Sequence, residues 1–347
     1  MQITELIRPN IRSLQPYSTA RDEYEGDLGI FLDANESPYN NGYNRYPDPR
    51  QKRLKGLISP IKGVAAENIF IGNGSDEAID LLFRIFCVPG KSNAISIAPS
   101  YGMYEVAADI NDVEVRKVLL NDDFSLPVGR LLEAADADSR LLFICSPNNP
   151  TGNAFPSEEV ERLVREFPGI VVVDEAYIDF SDKPGMLPIL SEFPNLVVLQ
   201  TLSKAWGMAG LRCGLAFASA EIISYMNRVK YPYNINLATS SIVERLLAEP
   251  VMEQVKVLKE ERKKLADALV DFPFVKRVYP SDANFLLVKV SDANDLYDYL
   301  IAKKIIVRNR DKVALCKGCL RITVGTPEEN RHLIETLKDY EKKASDC

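Results

Sequence analysis

LLFICSPNNPTG (141–152), IVVVDEAY (170–177) and NLVVLQTLSKAWGMAGLRCG (195–214) share one form: a short apolar run that ends on polar or small residues. Unbroken apolar runs at Leu141–Ser146, Ile170–Asp174, Leu196–Thr201 and Leu211–Ala218 suit strands covered on both faces, as in a mainly parallel sheet between helices. Between the first two, Val160, Leu163, Val164 and Phe167 fall at helical spacing, behind Ser157 as N-cap and with Glu158 and Glu159 in the first turn. Strand and helix in alternation make an α/β fold. Such sheets take ligands beyond the carboxyl ends of their strands. Those ends present Asn149, Asp174, Lys204 and Arg212 on one rim.

The texture changes after about Tyr233. Residues 235–271 read as long amphipathic helices, followed by strand candidates at Ala283–Val290, Ile305–Val307 and Leu320–Val324 and a helix near Ala293–Lys304. Thr326-Pro-Glu-Glu329 is a capping box with proline at the first helical position. The expected organisation is an arm over 1–33, a large α/β domain over 34–234 and a smaller α+β domain over 235–347. No internal repeat or low-complexity tract is visible.

Each strand end carries chemistry. In GNGSDEAI (72–79) a strand-like NIFI leads through two glycines into a helix opened by Ser75 and Asp76. Free N–H groups at such a turn, with the helix dipole, stabilise a phosphate; the simpler reading is helix capping. It is neither a Walker loop nor a GxGxxG dinucleotide fingerprint. In SPNNPTG (146–152) the prolines and Gly152 set a turn from which Asn149 can reach the crevice. Asp174 ends a buried strand, where a carboxylate is costly unless a cation meets it. A protonated pyridine nitrogen would serve, and Tyr177 is near enough to reach the same ring. Lys204, flanked by apolar residues and followed by Arg212, should have a lowered pKa and act as an amine nucleophile.

The bulk numbers narrow the rest. The chain has 347 residues, 46% hydrophobic and 26% charged, with 42 basic against 49 acidic residues and a net charge of −7. That balance argues against nucleic acid as a partner. No secretory signal is visible in MQITELIRPN, no apolar run is long enough for a bilayer, and six dispersed cysteines suit reduced thiols in the cytoplasm. Cys316 and Cys319 form a CxxC, but with His332 as the one histidine the pair lacks partners for zinc, and it runs into a strand rather than a helix. No metal is expected.

The chain resembles the fold-type I pyridoxal-phosphate enzymes, and among them the histidinol-phosphate aminotransferases. The likeness runs through LDANESPY (32–39), RYPDP (45–49), GNGSDEAI (72–79), SYGMY (100–104), SPNNPTG (146–152), VDEAYIDF (173–180), SKAWGMAGLRCG (203–214) and LRITVGT (320–326). It implies a large domain with a seven-stranded, mainly parallel sheet between helices, and a smaller α+β domain. It implies pyridoxal 5′-phosphate held by Lys204 as a Schiff base, with Asp174 on the ring nitrogen, Asn149 and Tyr177 on the phenolic oxygen and Tyr101 stacked on the ring. Ser75, Asp76, Ser203 and Arg212 would surround the phosphate, and Tyr46 would reach the phosphate of a neighbouring subunit's cofactor in a homodimer. Arg308 and Arg321 would bind the substrate anion, with Tyr17 and Asn35 as further substrate contacts.

The implied reaction is L-histidinol phosphate plus 2-oxoglutarate to imidazole acetol phosphate plus L-glutamate, by ping-pong exchange through the lysine. One arginine pocket could take the α-carboxylate of glutamate in one half-reaction and the phosphate of the other substrate in its partner. A threonine-phosphate decarboxylase, or an aminotransferase for aromatic or other amino acids, would share the cofactor residues. A non-enzymatic regulator on this scaffold is a remote alternative, since it would need no such set of residues.

Overall fold

The structure, a computed structural model, describes residues 2–17 and 29–345. Of the expected arm, residues 18–28 lie outside the described residues.

A seven-stranded sheet runs in the order β1-β7-β6-β5-β4-β2-β3. Its strands are β1 (Ile69–Asn73), β2 (Asn93–Ala98), β3 (Glu114–Leu119), β4 (Ser139–Cys145), β5 (Ile170–Asp174), β6 (Leu196–Thr201) and β7 (Cys213–Ala218). β7 runs antiparallel to both its neighbours, and the remaining pairs are parallel. The apolar runs form strands because both faces are covered. Val171 and Val173 of β5 join one core with Ile144, Val198 and Leu215, while Ile170 and Val172 join another with Phe143, Leu199 and Ala216. Each such side chain contributes about 1.5–3 kcal/mol on full burial. The N-terminal segment adds to the second core through Ile3, Ile7 and Ile11.

A second, antiparallel sheet has the order β10-β11-β9-β8, from β8 (Val275–Val278), β9 (Phe285–Val290), β10 (Arg308–Asn309) and β11 (Cys319–Thr323). Helices Val251–Leu269, Ala293–Ala302 and Pro327–Ser345 supply its core with Leu265, Leu269, Leu296, Leu300, Leu333 and Leu337. The helix Leu237–Leu246 instead places Val243 in the core of the large sheet. Thr326 and Glu329 exchange the bonds of a capping box: Thr326 N–H donates to Glu329 at 2.8 Å and Glu329 N–H to Thr326 Oγ1 at 3.2 Å.

Local differences have local causes. The strand expected from Leu211 starts at Cys213, because Ala209–Leu211 forms a 3-10 turn and Arg212 is left-handed at φ 52. The strand expected at Ile305–Val307 is found at Arg308–Asn309; its apolar residues lie in the turn that follows the helix. Ser157 is not an N-cap but the first residue of its helix, behind Pro156. Strand β8, whose burial is only partial, carries no clear sequence signal.

Candidate active site

The carboxyl ends of β4, β5 and β6, with the start of β7, enclose one cavity. Its lining includes Ser75, Asp76, Tyr101, Asn149, Asp174, Tyr177, Ser203, Lys204 and Arg212, with Gly74, Cys145, Ala176 and Thr201 between them. Residues from Gly74 to Arg212 thus meet because parallel strands share a polarity and end on the same rim.

At one end lies the start of the helix Gly74–Phe86, where backbone N–H groups lack intrahelical partners. The approach is tight. A Cβ on Gly214 would fall 2.2 Å from the Gly74 carbonyl carbon and the Ser75 nitrogen, so β7 can cross here only as glycine. Gly74 has φ +72, and its N–H donates to the Arg212 carbonyl at 2.9 Å. Ser75 Oγ donates to the Gln200 carbonyl at 3.1 Å, and the hydroxyls of Thr201 and Ser203 are bonded at 3.0 Å. The Asp76 carboxylate accepts from Tyr101 Oη at 3.1 Å and from Arg212 at 3.4 Å. With its carboxylate turned to those two, Asp76 has its backbone N–H to offer an anion.

At the centre stands Asp174, 3% exposed. Burial raises its pKa, while hydrogen bonds from Tyr104 and the Ala176 N–H, and the charge of Lys204, act to hold it ionised. Tyr104 Oη donates to Asp174 Oδ2 at 2.7 Å, and Ala176 N–H to Oδ1 at 3.1 Å. Lys204 extends over the Tyr177 ring, its Nζ 5.6 Å from the centroid. Its pKa is lowered, first by burial and then by the positive charge of Arg321. Burial pushes the Tyr177 phenol up, so it stays protonated at neutral pH.

The second sheet closes the other side. Arg321 of β11 donates to Asn149 Oδ1 and lies over the Phe285 ring, which itself meets Tyr177 edge-on at 5.2 Å. Arg308 faces Arg321 across the β10–β11 ladder but is exposed.

Of the expected residues, the exposed Arg308, and Tyr46, Asn35 and Tyr17, are not brought to the lining of this cavity within the chain. Tyr46 is 50% exposed, stacks on Tyr233 at 4.4 Å and shares a surface cavity with Asn35. Tyr17 is 75% exposed in another cavity with Lys55 and Lys230. The CxxC forms a turn in which both thiols are fully buried, with pKa values pushed up by burial to about 12 for Cys316 and about 11 for Cys319. Among the described residues no cluster suited to a metal ion occurs.

Two residues were missed. Tyr104 is the last letter of SYGMY, three positions beyond Tyr101, and that helical spacing was the available signal. Arg310 follows Arg308 by two in IIVRNR (305–310), and strand alternation would have put both on one face.

These groups fit a phosphorylated pyridine aldehyde. Asp174 is a buried carboxylate with no cation in ion-pair contact among the described residues, which suits a ring N–H. The glycine-lined helix start suits a phosphate, and Lys204 is an amine held at reduced basicity.

A mainly parallel sheet with a lysine and a buried aspartate at its rim has the fold and site of a pyridoxal-phosphate enzyme. The Aminotransferase class I and II family matches residues 31–337. A histidinol-phosphate aminotransferase of Parabacteroides distasonis is 54% identical over 339 residues, 97% of this chain and 98% of that protein. The crystal structure of the histidinol-phosphate aminotransferase from Clostridium acetobutylicum superposes with a TM-score of 0.79 at 25% identity, over 86% of this chain and 91% of that one. That from Sinorhizobium meliloti, in complex with pyridoxal-5′-phosphate, shares the fold with a TM-score of 0.79 at 23% identity, over 86% and 84%. The chain belongs to the histidinol-phosphate aminotransferase family, within class I and II.

Proposed function

We propose that this protein transfers the amino group of L-histidinol phosphate to 2-oxoglutarate, using pyridoxal 5′-phosphate held by Lys204. The observation that carries the reading is the meeting of Lys204 and Asp174 in one cavity, the amine with its pKa lowered and the buried carboxylate held by Tyr104. The bound cofactor supplies an electron sink for the pair left when the substrate's Cα–H bond breaks. Asp174 holds the proton on the ring nitrogen. Tyr177 and Asn149 orient the ring through its phenolic oxygen, Tyr101 covers its face, and Ser75, Asp76, Ser203 and Arg212 anchor its phosphate. The Lys204 amine, when free, would take the proton from the substrate's Cα and deliver it to the cofactor's aldehyde carbon, and its lowered pKa favours that role. Arg321, with Arg308, fixes the substrate anion, be it the α-carboxylate of glutamate or the phosphate of the other substrate; Tyr17 and Asn35 complete the substrate contacts.

Tyr46 cannot serve its own chain's cavity from its place beside Tyr233, which supports a homodimer in which it serves the partner's. Exposed Ile30, Leu32, Tyr39 and Tyr43 on the same segment supply apolar surface for that contact. The chain would work as an arm (1–33), a large domain (34–234) and a small domain (235–347). The five cysteines among the described residues are free and buried, and with a biosynthetic substrate they suit the cytoplasm; among the described residues no helix is long and apolar enough to cross a membrane.

The test is spectroscopic. L-histidinol phosphate should bleach the cofactor's visible band and 2-oxoglutarate should restore it, while Lys204→Ala does neither. Carbon dioxide release from L-threonine phosphate without bleaching by histidinol phosphate would refute the substrate and leave the cofactor assignment.

A further inference from the structure

Arg310 continues the β10–β11 ladder. Its N–H donates to the Cys319 carbonyl at 2.9 Å, one step beyond the pairs Arg308↔Arg321 and Asn309↔Leu320. Residues two apart on a strand share a face, as do residues directly opposite, so Arg308, Arg310 and Arg321 project from the same side of the ribbon. Arg310 is half-buried, and its Nε is shielded from water with no hydrogen-bond partner.

No carboxylate balances this group among the described residues. The ionisable neighbours that bear on Arg310 are Arg321, Arg308, Cys316 and Tyr177. Burial keeps Cys316 and Tyr177 protonated and neutral at pH 7. The adjacent Asp311 carboxylate accepts instead from the Gly318 N–H at 2.7 Å. Burial and the two arginines push the Arg310 pKa down to about 10, which still leaves it charged at pH 7. A half-buried cation among cations is costly unless an anion arrives.

The neighbouring Arg321 already spends one N–H on Asn149. A carboxylate, with one charge and two oxygens, can be met by what remains of that fork. A phosphate monoester carries about −1.5 to −2 at pH 7 with three acceptor oxygens, and needs more donors and more charge. We infer that Arg310 is the additional arm of the anion site and sets its preference for a phosphate monoester over an α-carboxylate. This rests on the substrate proposed above, and it assigns the discrimination to one residue.

The experiment uses holoenzyme with Arg310→Gln and Arg310→Lys. The concentrations of L-histidinol phosphate and of L-glutamate that half-saturate bleaching are measured separately, and inorganic phosphate and acetate are titrated as competitors. Loss of a charge-assisted contact should weaken histidinol phosphate at least about tenfold more than glutamate, and phosphate more than acetate by a similar factor, in Arg310→Gln. Arg310→Lys, keeping the charge without the fork, should fall between. Equal losses for both substrates and both competitors would overturn the assignment, as would no loss at all. If Arg310→Gln fails to take up cofactor, the Lys variant carries the comparison. If wild-type enzyme is not bleached by histidinol phosphate, the proposed function fails, and the phosphate-to-acetate ratio still decides the role of Arg310.

Discussion

The rim of the large sheet and the arginine edge of the small one solve opposite problems. At the rim the key charge is a carboxylate, Asp174, buried at a strand tip and steadied by donors at 2.7 and 3.1 Å. At the edge the charges are guanidinium groups of Arg308, Arg310 and Arg321, and Arg310 has a buried Nε without a partner. The rim is preorganised: its groups come from β4, β5 and β6, whose side chains fill two cores. The edge rests on a strand of only two residues, Arg308–Asn309. A cofactor that stays bound can be met by a rigid wall, whereas a pocket proposed to take a carboxylate in one half-reaction and a phosphate in the other would have to tolerate two anions. The rim should therefore respond to mutation as chemistry and the edge as recognition.

The sharpest break of that contrast is Lys204→Ala. Removing the amine proposed to hold cofactor and move the proton should cost at least about 10^4-fold in kcat. The visible band of lysine-bound cofactor should also vanish, while cofactor affinity persists through the phosphate end. A variant that kept either band or turnover would displace the reaction from this rim. Next comes Asp174→Asn, which leaves the shape but removes the proposed counter-charge of the ring nitrogen. A fall of about 10^2–10^3-fold in kcat is expected, as for loss of one preorganised electrostatic partner. KM should move far less; a change confined to KM would make Asp174 a recognition residue and dissolve the contrast.

Tyr104→Phe sharpens the same point without touching the cofactor. Its hydrogen bond favours the ionised form of Asp174, and burial opposes it. A hydrogen bond to a charged group is worth about 1.5–3 kcal/mol, so cofactor affinity of the apoenzyme should fall about tenfold or more. The sign of the pH effect follows: without the bond the Asp174 pKa rises, so the acid limb of cofactor binding moves to higher pH. An unshifted limb would make Tyr104 a packing residue, a role its stacking on Phe143 at 4.7 Å would also explain.

How much of this was legible in the sequence divides along the same line. Apolar runs over Ile170–Asp174 and Leu196–Thr201 give their own strand ends, because burial on both faces leaves no room for another period. Asp174 and Lys204 could therefore be placed on one rim from spacing alone. β10 could not: its apolar residues Ile305 and Val307 precede the ladder, and the strand forms on Arg308–Asn309 by pairing with β11, a long-range contact with no local signature. Tyr104 went unassigned for a related reason. A fully buried tyrosine reads as core, and only the distance to Asp174 shows its hydroxyl has a function. Tyr46 and Asn35 lie together in a surface cavity away from Lys204, and the sequence motifs that single them out carry no signal of that separation.

The smallest expected effect couples the two regions. The Lys204 pKa is lowered by burial first and by the charge of Arg321 second. Arg321→Gln removes the second cause, so the pKa should rise toward that of an ordinary lysine. Only the neutral amine is nucleophilic and its fraction at a given pH falls as the pKa rises, so the midpoint pH at which the apoenzyme's Lys204 captures cofactor should move upward in the variant. The measurement is the rate at which the visible band forms on adding pyridoxal phosphate, followed against pH, and it needs no amino substrate. An unmoved midpoint would mean that burial alone sets the amine, and that the arginine edge acts only on substrate. An upward shift would mean that the edge has a second effect: the cations proposed to bind the substrate anion also lower the lysine's pKa, and an arriving anion, by neutralising them, would raise its basicity as it takes the proton.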